Sequence, residues 1–209
     1  MDERAHHNRL GIALLRPQRQ NRRMPPSTED DEARPALKRG LLAFGATTLL
    51  FLAVGMLLPK SFEVSRQREI AAPAHELFGA VANLRSFAEW NPWLAADPKM
   101  EVTFGERTEG VGASYAWASE QHGTGEMTIV GLQPDRSVDT ELDFGDQGTA
   151  SGQFLFDAID DGTTRVTWTM SGDFDENPLM GWMALMMDST LGPQFEDGLE
   201  RLDRRSAKR

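Results

Sequence analysis

Residues 40–58, GLLAFGATTLLFLAVGMLL, run for 19 positions without a charged side chain, between Lys38-Arg39 and Lys60. A helix of that length covers roughly 28 Å, close to the ~30 Å hydrocarbon core of a bilayer. In water such a helix would need burial on every face. In lipid it satisfies its own backbone and needs no further partner. The run therefore divides the chain into a basic tail (1–37), a transmembrane anchor helix (38–60) and one soluble domain (61–209). A secretory signal has an apolar region of about 7–15 residues ending in a small-x-small site. Here Pro59-Lys60-Ser61-Phe62 follows, with no Ala-x-Ala pattern, so the anchor is expected to stay uncleaved.

Nine basic residues precede the run: Arg4, Arg9, Arg16, Arg19, Arg22, Arg23, Arg34, Lys38 and Arg39. Beyond it the nearest are Lys60, Arg66 and Arg68. The positive-inside rule then puts the N-terminus in the cytoplasm. The C-terminal domain is expected outside the cytoplasm, on the cell membrane of a bacterium-like cell. Residues 1–37 are rich in Arg, Pro and Gln, show little apolar periodicity, and read as a disordered tail. The tail has no aromatic residue, which favours a topology signal over an RNA-binding arm.

Residues 61–209 carry 26 acidic against 12 basic side chains, −14 within a whole-chain charge of −10. That balance argues against nucleic acid as a partner, and against electrostatic attachment to an anionic membrane. The chain has no cysteine, so it offers no disulfide, thiolate nucleophile or Cys-based metal site. No glycine-rich phosphate signature is present, and neither a cofactor nor a metal is expected.

The domain reads as strand, helices, strands, helix. Residues 62–70 mix Phe, Val and Ile with charges at period two and fit a strand. Pro73 suits the first turn of a helix running to about Asn83. A second short helix covers 84–90, and Asn91-Pro92 is expected to end it. Strand signals follow around Val102 and Phe104, around Tyr115 and Trp117, over 123–132, over 138–144, over 150–158 and over 166–171. Turns at Gly110-Val111-Gly112, Pro134-Asp135, 145–148 and Asp160-Asp161-Gly162 separate them. These six strands make an antiparallel meander with one apolar, aromatic face and one acidic, threonine-rich face. The apolar face needs a cover. A Met-rich helix opening at Asn177-Pro178 and running to about Leu202, interrupted at Pro193, supplies it.

Three stretches carry a resemblance: Ala-Ala-Pro-x-x-x-Leu-Phe after the first strand (71–78), Phe-x-x-Trp-Asn-Pro-Trp (87–93) and Gly-Val-Gly-x-x-Tyr-x-Trp (110–117). With the element order, they make residues 62–205 resemble the START-like (SRPBCC) superfamily, within it the polyketide cyclase/dehydrase and lipid-transport group. The resemblance implies an α+β helix-grip fold, a curved antiparallel sheet wrapped on a long C-terminal helix, here preceded by a single transmembrane helix. It also implies a cavity between sheet and helix for an apolar small molecule such as a lipid or polyketide.

Candidate ligand-binding residues are Phe78, Trp90, Trp93, Tyr115, Trp117, Met127, Phe154, Trp168, Met180, Met183 and Met187. Met180, Met183, Met186 and Met187 suit an adaptable apolar wall. Trp90 and Trp93 stand where this fold has its cavity mouth. Tyr115 and Trp117 can each give a buried ligand one polar contact. Core packing is the competing explanation for each of these side chains.

For catalysis the sequence offers little. His75 and His122 are expected in solvent. Asp173, Asp175 and Glu176 are expected to cap the last helix rather than bind an ion. Glu126 and Asp157 alternate outward from their strands. No catalytic residue is assigned. A membrane-anchored, non-catalytic binding domain is the leading expectation. A cyclase- or dehydratase-like enzyme using the same cavity stays open, as does an interaction module like the Hsp90-activator branch of the superfamily.

Overall fold

A computed structural model describes the backbone of residues 28–208 and the side chains of residues 38–208. The expected disorder of residues 1–27 lies outside the described residues. The chain divides into two units, 1–46 and 47–209. Helix α1 spans Thr28–Leu57. Residues 28–37, which the charge pattern assigns to the tail, are therefore helical. The Glu, Ala, Arg and Leu among them are strong helix formers. Within α1 the 20-residue stretch Lys38–Leu57 is long and apolar enough to cross a bilayer, and almost none of it is buried in the protein.

The remaining elements are β1 (Ser61–Ile70), α2 (Ala74–Ala82), α3 (Leu84–Ala88), α4 (Pro92–Ala96), β2 (Glu101–Phe104), β3 (Ser114–Ser119), β4 (Gly123–Gln133), β5 (Ser137–Asp143), β6 (Thr149–Ala158), β7 (Thr164–Asp173) and α5 (Pro178–Ser206). The strands form one antiparallel sheet in the order β1-β7-β6-β5-β4-β3-β2. Strands β2 to β7 are thus the expected meander, and β1 joins its β7 edge. With α5 lying along the sheet, the architecture is an α+β helix-grip fold.

Two prolines behave differently from expectation. Asn91-Pro92 ends one helix but also starts α4, because Pro92 sits at its first turn, where no N–H is needed. Pro193 lies inside α5 without ending it. The proline removes one intrahelical hydrogen bond, and the packing beyond it holds the helix together. Phe195, Leu199 and Leu202 are fully buried there. A Cβ on Gly198 would stand 2.7 Å from the Trp168 ring and 3.2 Å from Pro92, so glycine is what lets α5 come this close.

Charged pairs tie α5 to the sheet edge and to the α3 region. Arg66 of β1 donates to Asp188 at 2.8 Å and to Glu196 at 2.7 Å, and Arg68 donates to Asp203 at 2.8 Å. Arg205 reaches the Ser86 hydroxyl at 2.7 Å and Glu89 at 3.1 Å. The helix cap also departs from expectation. The Asn177 side chain, not a carboxylate, accepts the Leu179 N–H at 2.9 Å. Asp175 accepts from the Asn177 N–H at 3.0 Å, Glu176 pairs with Lys60, and Asp173 ends β7. An asparagine carbonyl at this position does the capping work of an acid without its charge.

Candidate ligand cavity

The approach to the cavity is built by two asparagine caps. Asn83 accepts the N–H groups of Arg85 and Ser86, each at 3.1 Å, and starts α3. Asn91 accepts those of Trp93 at 2.9 Å and Leu94 at 3.1 Å, and starts α4. Between the caps, Phe87 and Trp90 turn inward and are fully buried. The Trp90 indole N–H donates to the Ala80 carbonyl at 3.2 Å. That hydrogen bond fixes Trp90 as core.

Trp168 is the hub of the aromatic floor. It stacks on Phe195 (4.3 Å between centroids, 7°) and on Phe154 (4.7 Å, 29°), and meets the Trp93 ring edge-on at 5.6 Å. Above this floor lies a cavity of about 320 Å³. Its wall includes Phe62, Trp93, Tyr115, Trp117, Met127, Thr140, Leu142, Phe144, Ala150, Gly152, Phe154, Trp168, Met170, Phe174, Met183, Met187 and Leu191. Trp93 comes from α4 and Met183, Met187 and Leu191 from α5; the strand residues come mostly from the middle of the sheet and from the start of β1, β4 and β6 and the end of β5 and β7. In an antiparallel sheet those starts and ends all lie at one end. The same end receives the chain from α1, and there the Phe174 N–H donates to the Lys60 carbonyl at 2.8 Å.

The cavity exists because small residues stand where larger ones would fill it. Along the inner face of β6 the order is Ala150, Gly152, Phe154, Phe156. The two phenylalanines make core, and the alanine and glycine leave room. A Cβ on Gly152 would collide with the Thr140 hydroxyl, and one on Gly125 would collide with the Trp117 ring. Gly125 thus lets the Trp117 indole lie across β4.

Inside this apolar wall the polar groups are few. The Asn91 amide donates to the Tyr115 hydroxyl at 3.2 Å, and both residues are buried. Because the phenol oxygen accepts that bond, its own hydrogen can serve an acceptor in the cavity. Burial pushes the Tyr115 phenol well above its ordinary value, with the Asn91 hydrogen bond opposing in part, so it stays a neutral donor. Thr140 adds a second hydroxyl. The other ionisable lining groups, His122 and Asp173, are exposed at the rim.

Of the sequence-selected residues, Trp93, Tyr115, Trp117, Met127, Phe154, Trp168, Met183 and Met187 meet around this cavity. Three stand elsewhere. Trp90 is core, Phe78 packs edge-on against Phe156 at 6.0 Å, and Met180 lies in the first turn of α5 away from the wall. Met186 also faces outward, at 58 % exposure. His75 is exposed, as are Glu126 and Asp157. His122 is exposed too, yet it stands on the cavity rim. Sequence reasoning missed Asn91 and Thr140, and the void-making Ala150 and Gly152. The signal for the last two was the switch from small to large along one face of β6. Among the described residues, no three His, Asp or Glu side chains converge in a way that could hold a metal ion.

The polyketide cyclase/dehydrase and lipid transport family model matches residues 61–207. The chain belongs to this family. Solved structures of the same fold include the Zhui aromatase/cyclase from Streptomyces sp. R1128, at TM-score 0.53 and 17% identity over 71% of this chain and 95% of that one. Norcoclaurine synthase from Thalictrum flavum, in complex with dopamine and hydroxybenzaldehyde, aligns at TM-score 0.56 and 10% identity over 74% and 91%. A Thermobifida fusca protein solved in solution aligns at 0.54 and 18% over 70% and 93%. No curated protein matches the chain. At these identities the structural likeness speaks to the fold alone.

Proposed function

We propose that this protein is a membrane-anchored binding domain that holds one apolar small molecule between its sheet and α5. The observation that carries this reading is the cavity of about 320 Å³, walled by aromatic and Met side chains around a single buried phenol. Its volume is at the low end of the range for small-molecule sites. That suits one ring system or one chain rather than a whole phospholipid. Burial of apolar surface supplies the affinity, at roughly 25 cal/mol per Å² before the costs of association. Tyr115, oriented by Asn91, and Thr140 set orientation and favour a ligand that carries one acceptor.

In this reading α1 crosses the membrane through Lys38–Leu57, the basic N-terminal segment faces the cytoplasm, and the domain stands on the extracytoplasmic side. The length and exposed apolar surface of that stretch support the anchor, and the excess of Arg and Lys before it supports the orientation. A void of this size favours ligand binding over a role as a surface interaction module, which has no use for one. A cyclase- or dehydratase-like reaction would have Tyr115 as the one buried ionisable group among the described residues lining the cavity. No acid–base pair is buried beside it, which favours binding without turnover.

The test is uptake of a fluorescent fatty acid by the full chain in nanodiscs, read by energy transfer from tryptophan. Saturable one-to-one transfer that is lost in Trp117→Asp and Met183→Asp supports the proposal. Equal transfer in wild type and both variants contradicts it.

A further inference from the structure

The first three turns of α5 carry a surface that the cavity does not explain. Residues 178–187, PLMGWMALMM, contain no charge. Met183 and Met187 supply the cavity wall. Outside the cavity lining, Leu179, Leu185 and Met186 are 47 %, 57 % and 58 % exposed. Large apolar side chains at this density on one short stretch of helix mark an interaction site. Elsewhere in the domain the exposed large apolar side chains are Val111, Val130 and Ile159, far apart in the chain, and the domain carries a strong acidic excess.

What lies beside the patch identifies its partner. The Trp182 ring stacks on Phe51 of α1 at 4.7 Å and 1°, and its indole N–H donates to the Phe51 carbonyl at 3.3 Å. Gly55 and Gly181 form the crossing point. A Cβ on Gly181 would lie 2.6 Å from the Gly55 carbonyl oxygen and 2.7 Å from the Leu58 Cβ, and one on Gly55 would strike the Pro178 carbonyl. Small residues at a crossing are how helices approach closely in lipid. Met56 and Leu57 of α1 are themselves 63 % and 86 % exposed, so the apolar surface of α1 continues without a break onto α5.

We infer that the first three turns of α5 sit in the lipid bilayer, in the leaflet that holds the C-terminal end of α1. The inference rests on α1 being a membrane span. The attachment is apolar and needs no anionic lipid, which the acidic domain would repel. The exposed Leu179, Leu185 and Met186 then meet lipid, while Met183 and Met187 of the same turns line the cavity. One helical turn then separates the acyl layer from the binding site, and an apolar ligand reaches the cavity from lipid without crossing water.

The chain has no cysteine, so single Cys substitutions report alone. Leu185→Cys, Met186→Cys, Leu49→Cys in the span and Asp161→Cys in the β6–β7 turn are each labelled with an environment-sensitive fluorophore. The full chain is reconstituted in phosphatidylcholine vesicles. Quenching by nitroxide-bearing lipid is then compared with quenching by an aqueous nickel chelate. The inference expects positions 185 and 186 to follow 49, quenched severalfold more by lipid nitroxide than 161 and shielded from nickel. If 185 and 186 follow 161 while 49 follows lipid, the inference is wrong and the anchor stands. If 49 itself is open to nickel, both are wrong. Tryptophan quenching by brominated lipid in the otherwise unlabelled chain gives an independent reading. It should fall in Trp182→Phe, and an unchanged signal would count against the inference.

Discussion

The two halves of α5 share one helix and do opposite things. In residues 192–206 the inward stripe Phe195, Gly198, Leu199 and Leu202 is buried, and the flanks are paired with Arg66, Arg68 and Glu89. In residues 178–191 only Gly181 is buried, the first ten side chains carry no charge, and a cavity lies beneath. The difference is made by the sheet. Under the C-terminal half stands the Trp168 ring, stacked on Phe195 and backed by Phe154. Under the N-terminal half the inner face of β6 offers Ala150 and Gly152. One half clamps the fold, and the other forms a wall whose inner side is left for a ligand.

The sharpest way to break this contrast is truncation in each half. Phe195→Ala removes a fully buried ring in the Trp168 stack and should cost about 3–5 kcal/mol. Met183→Ala, half exposed over a void, should cost less than about 1 kcal/mol. Denaturant unfolding of the full chain in detergent micelles measures both, and equal costs would mean that the helix is uniform. Next in size is filling the void. Ala150→Trp should abolish uptake of the fluorescent fatty acid, while Ser151→Trp, on the outer face of the same strand, should leave it intact.

Tyr115→Phe keeps the shape and removes the hydroxyl. For a ligand bearing an acceptor it should weaken binding by about 0.5–1.5 kcal/mol, roughly two- to tenfold. A ligand with no acceptor should not notice, so titration of a matched ligand pair isolates the hydrogen bond. Tyr115 is also the chain's one tyrosine, so tyrosinate absorbance reads it alone. Its folded-state pKa is raised. Its contribution to stability is therefore complete below the unfolded value of about 10 and is lost as pH rises beyond it. Tyrosinate should appear only as the fold is lost.

The smallest effect belongs to the Arg66 pairs, which reach both halves of α5 through Asp188 and Glu196. The Arg66 hydrogen bond, opposed in part by desolvation, holds the Asp188 carboxyl below its usual range. Stability from this pair is present at neutral pH, above the ordinary carboxylate value. It is lost as pH falls through the lowered one. Arg66→Met should remove that part of the acid sensitivity, seen as a flatter dependence of Tm on pH below the ordinary carboxylate range.

Most of the fold could be read from the residues, and less of the site. Period-two alternation found all seven strands because each has one face toward the core, and the Asp-Gly and Pro-Asp turns punctuated them. Pro193 misled because proline ends a helix only when tertiary packing does not hold it. The aromatic wall residues were visible as inward positions, but pattern alone cannot tell the floor of a cavity from the middle of a core. Trp90 shows this: it has the same residue type and nearly the same position as Trp93, yet its indole is committed to Ala80. A void is defined by what is missing opposite, and that needs the strand register that brings Gly152 beside Thr140.

The most direct test of the central claim is lipidomics of the full chain excised from its own membranes in polymer nanodiscs, for wild type and for Ala150→Trp. Lipid surrounding the proposed anchor is common to both and cancels. One apolar molecule enriched in wild type at about one per chain and absent from the variant is the predicted result. Identical profiles would contradict a ligand-binding cavity.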